Sequence, residues 1–122
     1  MQATTATILV GLGGFAGATA RWGLSTAMKA TLDVSAFPYP TFIINLLGCL
    51  AIGIAYSLLE NNEALKLLIV VGFLGGFTTF STFGLEIFSL IRLQSVTTAA
   101  LYAGLSSILG VLLVWAGYRL TN

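Results

Sequence analysis

The sequence predicts an all-α integral membrane protein with four transmembrane helices, forming a single domain over residues 1–122. Hydrophobic residues make up 57% of the chain and charged residues only 7%, and the mean hydropathy is +1.00. A soluble domain carries about 25% charged residues, because its surface faces water. The charged residues also leave four uncharged runs, over residues 1–20, 34–59, 67–85 and 93–118. These observations exclude a soluble monomer, and the high hydrophobicity excludes a disordered chain.

The composition also excludes several classes of function. The formal net charge is +1, which provides no basic surface for nucleic acid. The chain contains no histidine and one cysteine, so a zinc site, a histidine-based triad and an internal disulfide are out of reach. No nucleophile and base can be paired, and we therefore expect a protein that is not an enzyme.

The lengths of the uncharged runs predict the individual helices. About 20 apolar residues of α-helix cross the hydrocarbon core of a bilayer. The predicted helices cover residues 7–28, 41–59, 65–92 and 95–118, and the first and third include Arg21 and Glu86. No basic side chain precedes the first run, so we expect a span there and not a cleaved signal peptide. The apolar runs are continuous, which argues against the alternating strands of a transmembrane barrel.

The charges flanking the helices give almost no preference for one orientation. With four spans, Lys66 and Arg119 lie on one side of the membrane, and Lys29 and Arg92 lie on the other. Positive residues normally accumulate on the cytoplasmic side. The chain either inserts one way with a weak bias or inserts both ways and pairs antiparallel. An oligomer is expected in both cases, because four short helices bury little between themselves.

Glycines predict close helix packing and a break in the third span. The pairs Gly13 with Gly17 and Gly72 with Gly76 have the small-xxx-small spacing that lets helix backbones approach. Gly75 and Gly76 precede Phe77-Thr78-Thr79, and two glycines beside two β-branched residues disfavour regular helix. We therefore expect a break near residues 75–79. Backbone groups freed at membrane depth are tolerated only when buried or facing a cavity or an ion.

Rings and hydroxyl groups alternate directly after the predicted break. Phe80 and Phe83 have the spacing of one helix face, and Ser81 and Thr82 lie beside them. One interpretation is an aromatic packing stripe whose hydroxyls bond to helix carbonyls. The other is a polar path, which the carboxylate of Glu86 one turn later favours, because an acid within a span usually marks a pathway.

Three motifs follow one another along the chain. Residues 13–22 read GGFAGATARW, residues 40–48 read PTFIINLLG, and residues 75–83 read GGFTTFSTF, with Glu86 following. In this order and spacing the motifs resemble those of the Fluc (CrcB) fluoride channels of bacteria. The resemblance covers the whole chain. Trp22 stands where tyrosine is commoner, Pro40 where the family has glycine, and Gly110 where it often has serine.

The resemblance implies a passive, fluoride-selective channel that relieves fluoride toxicity from the bacterial inner or plasma membrane. Family members are antiparallel, dual-topology homodimers with two pores and a central structural sodium ion. The main-chain carbonyls that hold this ion map onto Gly75 and Thr78. The pore positions that carry over are Arg21, Asn45, Phe80, Phe83, Tyr102 and Ser106.

The chemistry of these side chains suits a strongly hydrated anion. Amide and hydroxyl groups can donate hydrogen bonds to it, and Ser81 and Thr82 add two such hydroxyls. Aromatic rings have a positive edge, which Phe80 and Phe83 can present. Glu86 is expected to organise the hydroxyls at the pore. Arg21 either raises the local anion concentration or extends to the lipid headgroups.

Two other classes of membrane protein fit the chain less well. A small multidrug transporter also has four spans and dual topology, but it needs a carboxylate in its first helix, where this chain has Arg21. A structural membrane subunit would not need a broken helix flanked by hydroxyls and rings.

Overall fold

The computed structural model describes residues 1–122 and contains helices without any strand. Four helices are long and apolar enough to cross a membrane, which confirms the predicted fold class. The third span, Glu63–Arg92, consists of two parts, α3 over residues 63–77 and α4 over Phe80–Arg92. The predicted boundaries differ from the observed ones by at most four residues, at the start of the first helix. The other elements are α1 (Ala3–Thr31), α2 (Tyr39–Leu58) and α5 (Val96–Leu120).

Two helix pairs form the body of the protein, α1 with α3 and α2 with α5. The first pair approaches closely because Gly13 and Gly17 lie directly against the backbone of α3. In the second pair, Gly53 and Gly117 have the same role. A β-carbon at any of these four positions would overlap a carbonyl group of the facing helix. Packing of small residues replaces the hydrophobic driving force that is absent in lipid.

The third span breaks at two threonines. Residues Lys66–Leu74 are π-helical and Gly75–Phe77 form one α-helical turn. The chain is extended at Thr78, with φ −84° and ψ 158°, and at Thr79, with φ −147° and ψ 120°. The predicted break near residues 75–79 is confirmed, but the glycines before it remain helical. Gly76 instead gives room for the backbone of α1 at Gly14.

Few residues are buried within one copy of the chain. Only 14 of 122 are buried, and the largest fully buried side chains are Tyr102 and Ile44. The second half of the third span, α4, has no buried residue and packs mainly against α5. One side of α4 is therefore without a protein partner, and Phe80 on this side is 83% exposed.

The connection between α1 and α2 is ordered by a turn. Asp33 Oδ1 accepts hydrogen bonds from the hydroxyl group of Ser35 at 2.6 Å and from its backbone N–H at 2.9 Å. These two bonds lower the pKa of the Asp33 carboxyl below its ordinary value. Phe37 and Pro38 then lead into α2.

Candidate functional site

The break in the third span is held open by Asn45 of α2. Its Nδ2 donates to the carbonyl of Thr79 at 3.0 Å, and its Oδ1 accepts from the N–H of the same residue at 2.9 Å. The side-chain amide thus replaces two main-chain partners that a continuous helix would supply. An amide NH₂ has two hydrogens, so one donor of Asn45 remains for a further acceptor.

The threonines at the break complete the ends of the two half-helices. Thr79 is the N-cap residue of α4, and its Oγ1 accepts a hydrogen bond from the N–H of Thr82 at 3.2 Å. It also donates to Thr82 Oγ1 at 3.1 Å. The hydroxyl of Thr78 donates to the Leu74 carbonyl at 2.9 Å. These bonds satisfy groups that helix ends otherwise leave unpaired.

Three carbonyl groups at the break have distinct environments. The Gly76 carbonyl accepts from Arg21 Nε at 3.0 Å, so the arginine of α1 is attached to the break. The Gly75 carbonyl lacks the usual donor four residues later, because the N–H of Thr79 bonds to Asn45. The Thr78 carbonyl receives no backbone or side-chain donor. Free main-chain oxygens at membrane depth are characteristic of sites that hold a cation.

Glu86 lies between two hydroxyl groups from neighbouring helices. Thr41 of α2 donates to Glu86 Oε1 at 2.7 Å, and Tyr102 of α5 donates to Oε2 at 2.7 Å. Thr41 is buried, and Tyr102 is 0% exposed. Each carboxyl oxygen of Glu86 therefore accepts a hydrogen bond from one hydroxyl group, and the two bonds orient both hydroxyls.

Aromatic rings connect this carboxylate to a cavity. The ring centroids of Phe83 and Tyr102 are 5.0 Å apart, and those of Phe80 and Phe83 are 5.7 Å apart. A cavity of about 400 Å³ lies beside Phe80 and Phe83 and opens to the outside of the chain. Its wall includes Asn45, Gly75, Thr78 and Ser106. Ser106 Oγ is the only buried side-chain oxygen or nitrogen without a hydrogen-bond partner.

The structure brings most of the predicted site residues together. The cavity collects Asn45, Gly75, Thr78, Phe80, Phe83 and Ser106. Thr82, Glu86 and Tyr102 lie next to this cavity through the bonds described above. Ser81 is exposed and does not line the cavity, and Arg21 contacts the other side of the break through Gly76.

Two residues of the site were not among the predicted ones. Thr41 binds Glu86, and Thr79 binds Asn45. Both lie inside the motifs described from the sequence. The four-residue spacing of Thr41 and Asn45 places them on one face of α2, and this spacing is the signal that could have identified Thr41.

The fold and the site together define a multi-pass helical membrane protein with a broken helix whose free carbonyls adjoin a partly polar cavity. Such breaks in membrane helices are typical of ion sites. The model of the CrcB-like protein, Camphor Resistance (CrcB) family matches residues 8–118. The chain belongs to this family.

Curated relatives cover almost the whole chain. A protein of Nitratidesulfovibrio vulgaris is 41% identical over 114 residues, which are 90% of this chain and 91% of the relative. One of Methylobacillus flagellatus is 42% identical over 120 residues, 94% of this chain and 93% of the relative. One of Chloroflexus aurantiacus is 48% identical over 88 residues, 69% of each chain. All three are named fluoride-specific ion channel FluC.

Proposed function

We propose that this protein is a fluoride-selective channel that lets the anion leave the cell passively across the inner membrane and so relieves fluoride toxicity. Family membership and the names of its relatives support this function. The observation that carries it is the cavity at the helix break, where the unpartnered hydroxyl of Ser106 lies near Phe80 and Phe83. The function involves transport and no chemical reaction.

The donors of this cavity are neutral, which suits conduction. Fluoride is compact and loses water reluctantly, so the path must provide hydrogen-bond donors. It must also release the ion, and neutral donors hold an anion less tightly than a fixed cation does. Ser106 and the free N–H of Asn45 supply such donors. The positive edges of Phe80 and Phe83 add weak attraction along the same wall.

Glu86 acts on the path through its neighbours. A carboxylate repels an anion, and here its two oxygens are each covered by a hydroxyl group. Glu86 orients the hydroxyl groups of Thr41 and Tyr102. The ring of Tyr102 in turn lies against the ring of Phe83.

The functional unit is an antiparallel homodimer with two pores. The cavity is open on one side in a single copy, and α4 beside it has no buried residue. A second copy would close this side. The balanced charges at the two ends of the helices support insertion in both orientations, which an antiparallel pair requires.

A structural sodium ion fits the break at the centre of such a dimer. Sodium is a hard cation that prefers oxygen ligands, and the carbonyls of Gly75 and Thr78 are among those at the break without donors. These oxygens from both subunits would hold the ion. When bound, it supplies positive charge between two anion paths.

Fluoride efflux from liposomes containing the purified protein tests the function. An ion electrode should record fluoride release that greatly exceeds chloride release under the same gradient. Phe80→Leu and Phe83→Leu should slow fluoride release by about tenfold or more per folded protein, because a leucine has no positive ring edge. Phe88→Leu is the matched control, since Phe88 lies on the same helix and does not line the cavity. Equal release of both anions, or equal rates for all three variants, contradicts the proposal.

A further inference from the structure

We propose that Phe37, in the loop before α2, is a positioning residue of the fluoride path that acts through Tyr102. This inference rests on the proposed function. Phe37 belongs to none of the motifs that carry the family resemblance, and it lies outside the cavity at the break. Its ring contacts Tyr102, which donates a hydrogen bond to Glu86.

The ring of Phe37 packs directly on the ring of Tyr102. Their centroids are 5.3 Å apart and the rings are inclined at 78°, which is an edge-to-face contact. Phe37 makes a second such contact with Phe42, at 5.3 Å and 87°. Edge-to-face pairs at this distance are attractive and fix the mutual orientation of the rings.

These contacts make Phe37 part of a continuous row of rings. The row runs from Phe37 through Tyr102 and Phe83 to Phe80, with neighbouring centroids 5.3, 5.0 and 5.7 Å apart. Phe80 and Phe83 line the cavity, so the row extends from the loop to the proposed path. A displacement of Phe37 is therefore transmitted to Tyr102 first.

Tyr102 has a hydroxyl group whose position depends on its ring. The hydroxyl donates to Glu86 at 2.7 Å, and the residue has no exposed surface. Without the ring of Phe37, the rings of Phe42 and Phe83 would remain 6.2 and 5.0 Å from that of Tyr102, and the Tyr102 ring could tilt into the space that Phe37 had filled. The hydrogen bond from the Tyr102 hydroxyl to Glu86 Oε2 would then be lost.

The backbone around Phe37 holds its ring in place. The Phe37 carbonyl accepts from the N–H of Tyr39 at 2.9 Å, and the Pro38 carbonyl accepts from the N–H of Phe42 at 3.2 Å. Pro38 restricts the backbone of the preceding residue to extended conformations. The ring is therefore tied to the start of α2, the helix that also carries Thr41.

Liposome efflux with a double-mutant comparison tests this role. Phe37→Leu should slow fluoride efflux per folded protein by about fivefold or more, and Phe37→Tyr, which keeps the ring, should remain near the wild-type rate. Phe15→Leu is the matched control, because Phe15 is 76% exposed on α1 and lies away from the row of rings. If Phe37 acts through Tyr102, adding Phe37→Leu to Tyr102→Phe should slow efflux no further.

Other results of these measurements would contradict the role of Phe37 or require a second variant. If Phe37→Leu and Phe15→Leu give the same rate, or if the losses multiply in the double variant, Phe37 does not act through Tyr102. If the leucine variant yields no folded protein, Phe37→Met, whose unbranched flexible side chain fills irregular spaces, is compared in the same way. An absence of fluoride efflux from the wild-type protein itself overturns the channel function, and the role of Phe37 with it.

Discussion

Individual side chains bond to main-chain groups that the break in the third span leaves without helical partners. Asn45 takes both main-chain groups of Thr79, and Arg21 donates to the Gly76 carbonyl on the opposite side of the break. In lipid, water cannot replace such partners, so each lost hydrogen bond leaves an unsatisfied group. The same residues therefore determine both the stability of the break and the geometry of the cavity.

Replacing Asn45 should destabilise the protein and stop transport. Asn45→Ala leaves the N–H and the carbonyl of Thr79 without partners, and we expect a loss of about 3 kcal/mol in the free energy of unfolding. Asn61→Ala is the control, because Asn61 is exposed in the loop before α3. Thermal unfolding in detergent, followed by circular dichroism, measures the difference. Equal unfolding of the two variants would show that the amide does not support the break.

At the scale of elements, glycines decide which helices pair. Gly17 lies against the Phe73 carbonyl and Gly13 against the Leu68 carbonyl, so α1 and α3 touch backbone to backbone. Because the contact is with main-chain atoms, a larger side chain cannot be accommodated by rotamer changes alone. The position of Gly76, and with it the direction of the break, depends on this contact.

Alanine substitutions along α1 should separate packing glycines from neutral ones. Gly17→Ala should cost about 1–3 kcal/mol or more, since its β-carbon would overlap the Phe73 carbonyl. Gly23→Ala should be neutral or stabilising by up to about 1 kcal/mol, because no atom lies within 4 Å of the added carbon and alanine favours helix. Chemical denaturation in detergent checks both values. A Gly17→Ala protein as stable as Gly23→Ala would refute the close contact.

As a whole molecule, one copy of the chain leaves most of its helix surface without a protein partner. Only 14 residues are buried, the cavity is open on one side, and α4 lacks a partner there. The flanking charges are nearly equal at the two ends of the helices. A partner inserted in the opposite orientation would satisfy both observations.

Topology should therefore respond to small changes in charge. A C-terminal tag on the wild-type protein should be found on both sides of the membrane in comparable amounts. Asn61→Lys with Asn122→Lys should fix one orientation and abolish fluoride efflux, and co-expression with a copy carrying Ala36→Lys and Gln94→Lys should restore it. The matching glutamine variants, Asn61→Gln with Asn122→Gln, should behave as wild type. Full activity of a protein found in a single orientation would disprove the antiparallel dimer.

Local properties of the sequence are enough to predict the four spans, the neighbourhood of the break and the residues around it. Length and charge spacing suffice for the spans, because a bilayer requires about 20 apolar residues in each. The glycines and threonines of residues 75–79 sufficed to predict a break, since their intrinsic helix preference is low. These are local properties, which do not depend on which helices are neighbours.

The position of the break and the atoms that hold it depend on how the helices pack together. Gly76 is helical where it lies against the backbone of α1, and the chain opens at Thr79, whose N–H and carbonyl both bond to Asn45. The bonds from Asn45 to Thr79, Thr41 to Glu86 and Arg21 to Gly76 span 34, 45 and 55 residues. Such partners depend on the rotation of each helix about its axis, which the packing of glycines against backbone sets and which no local pattern encodes.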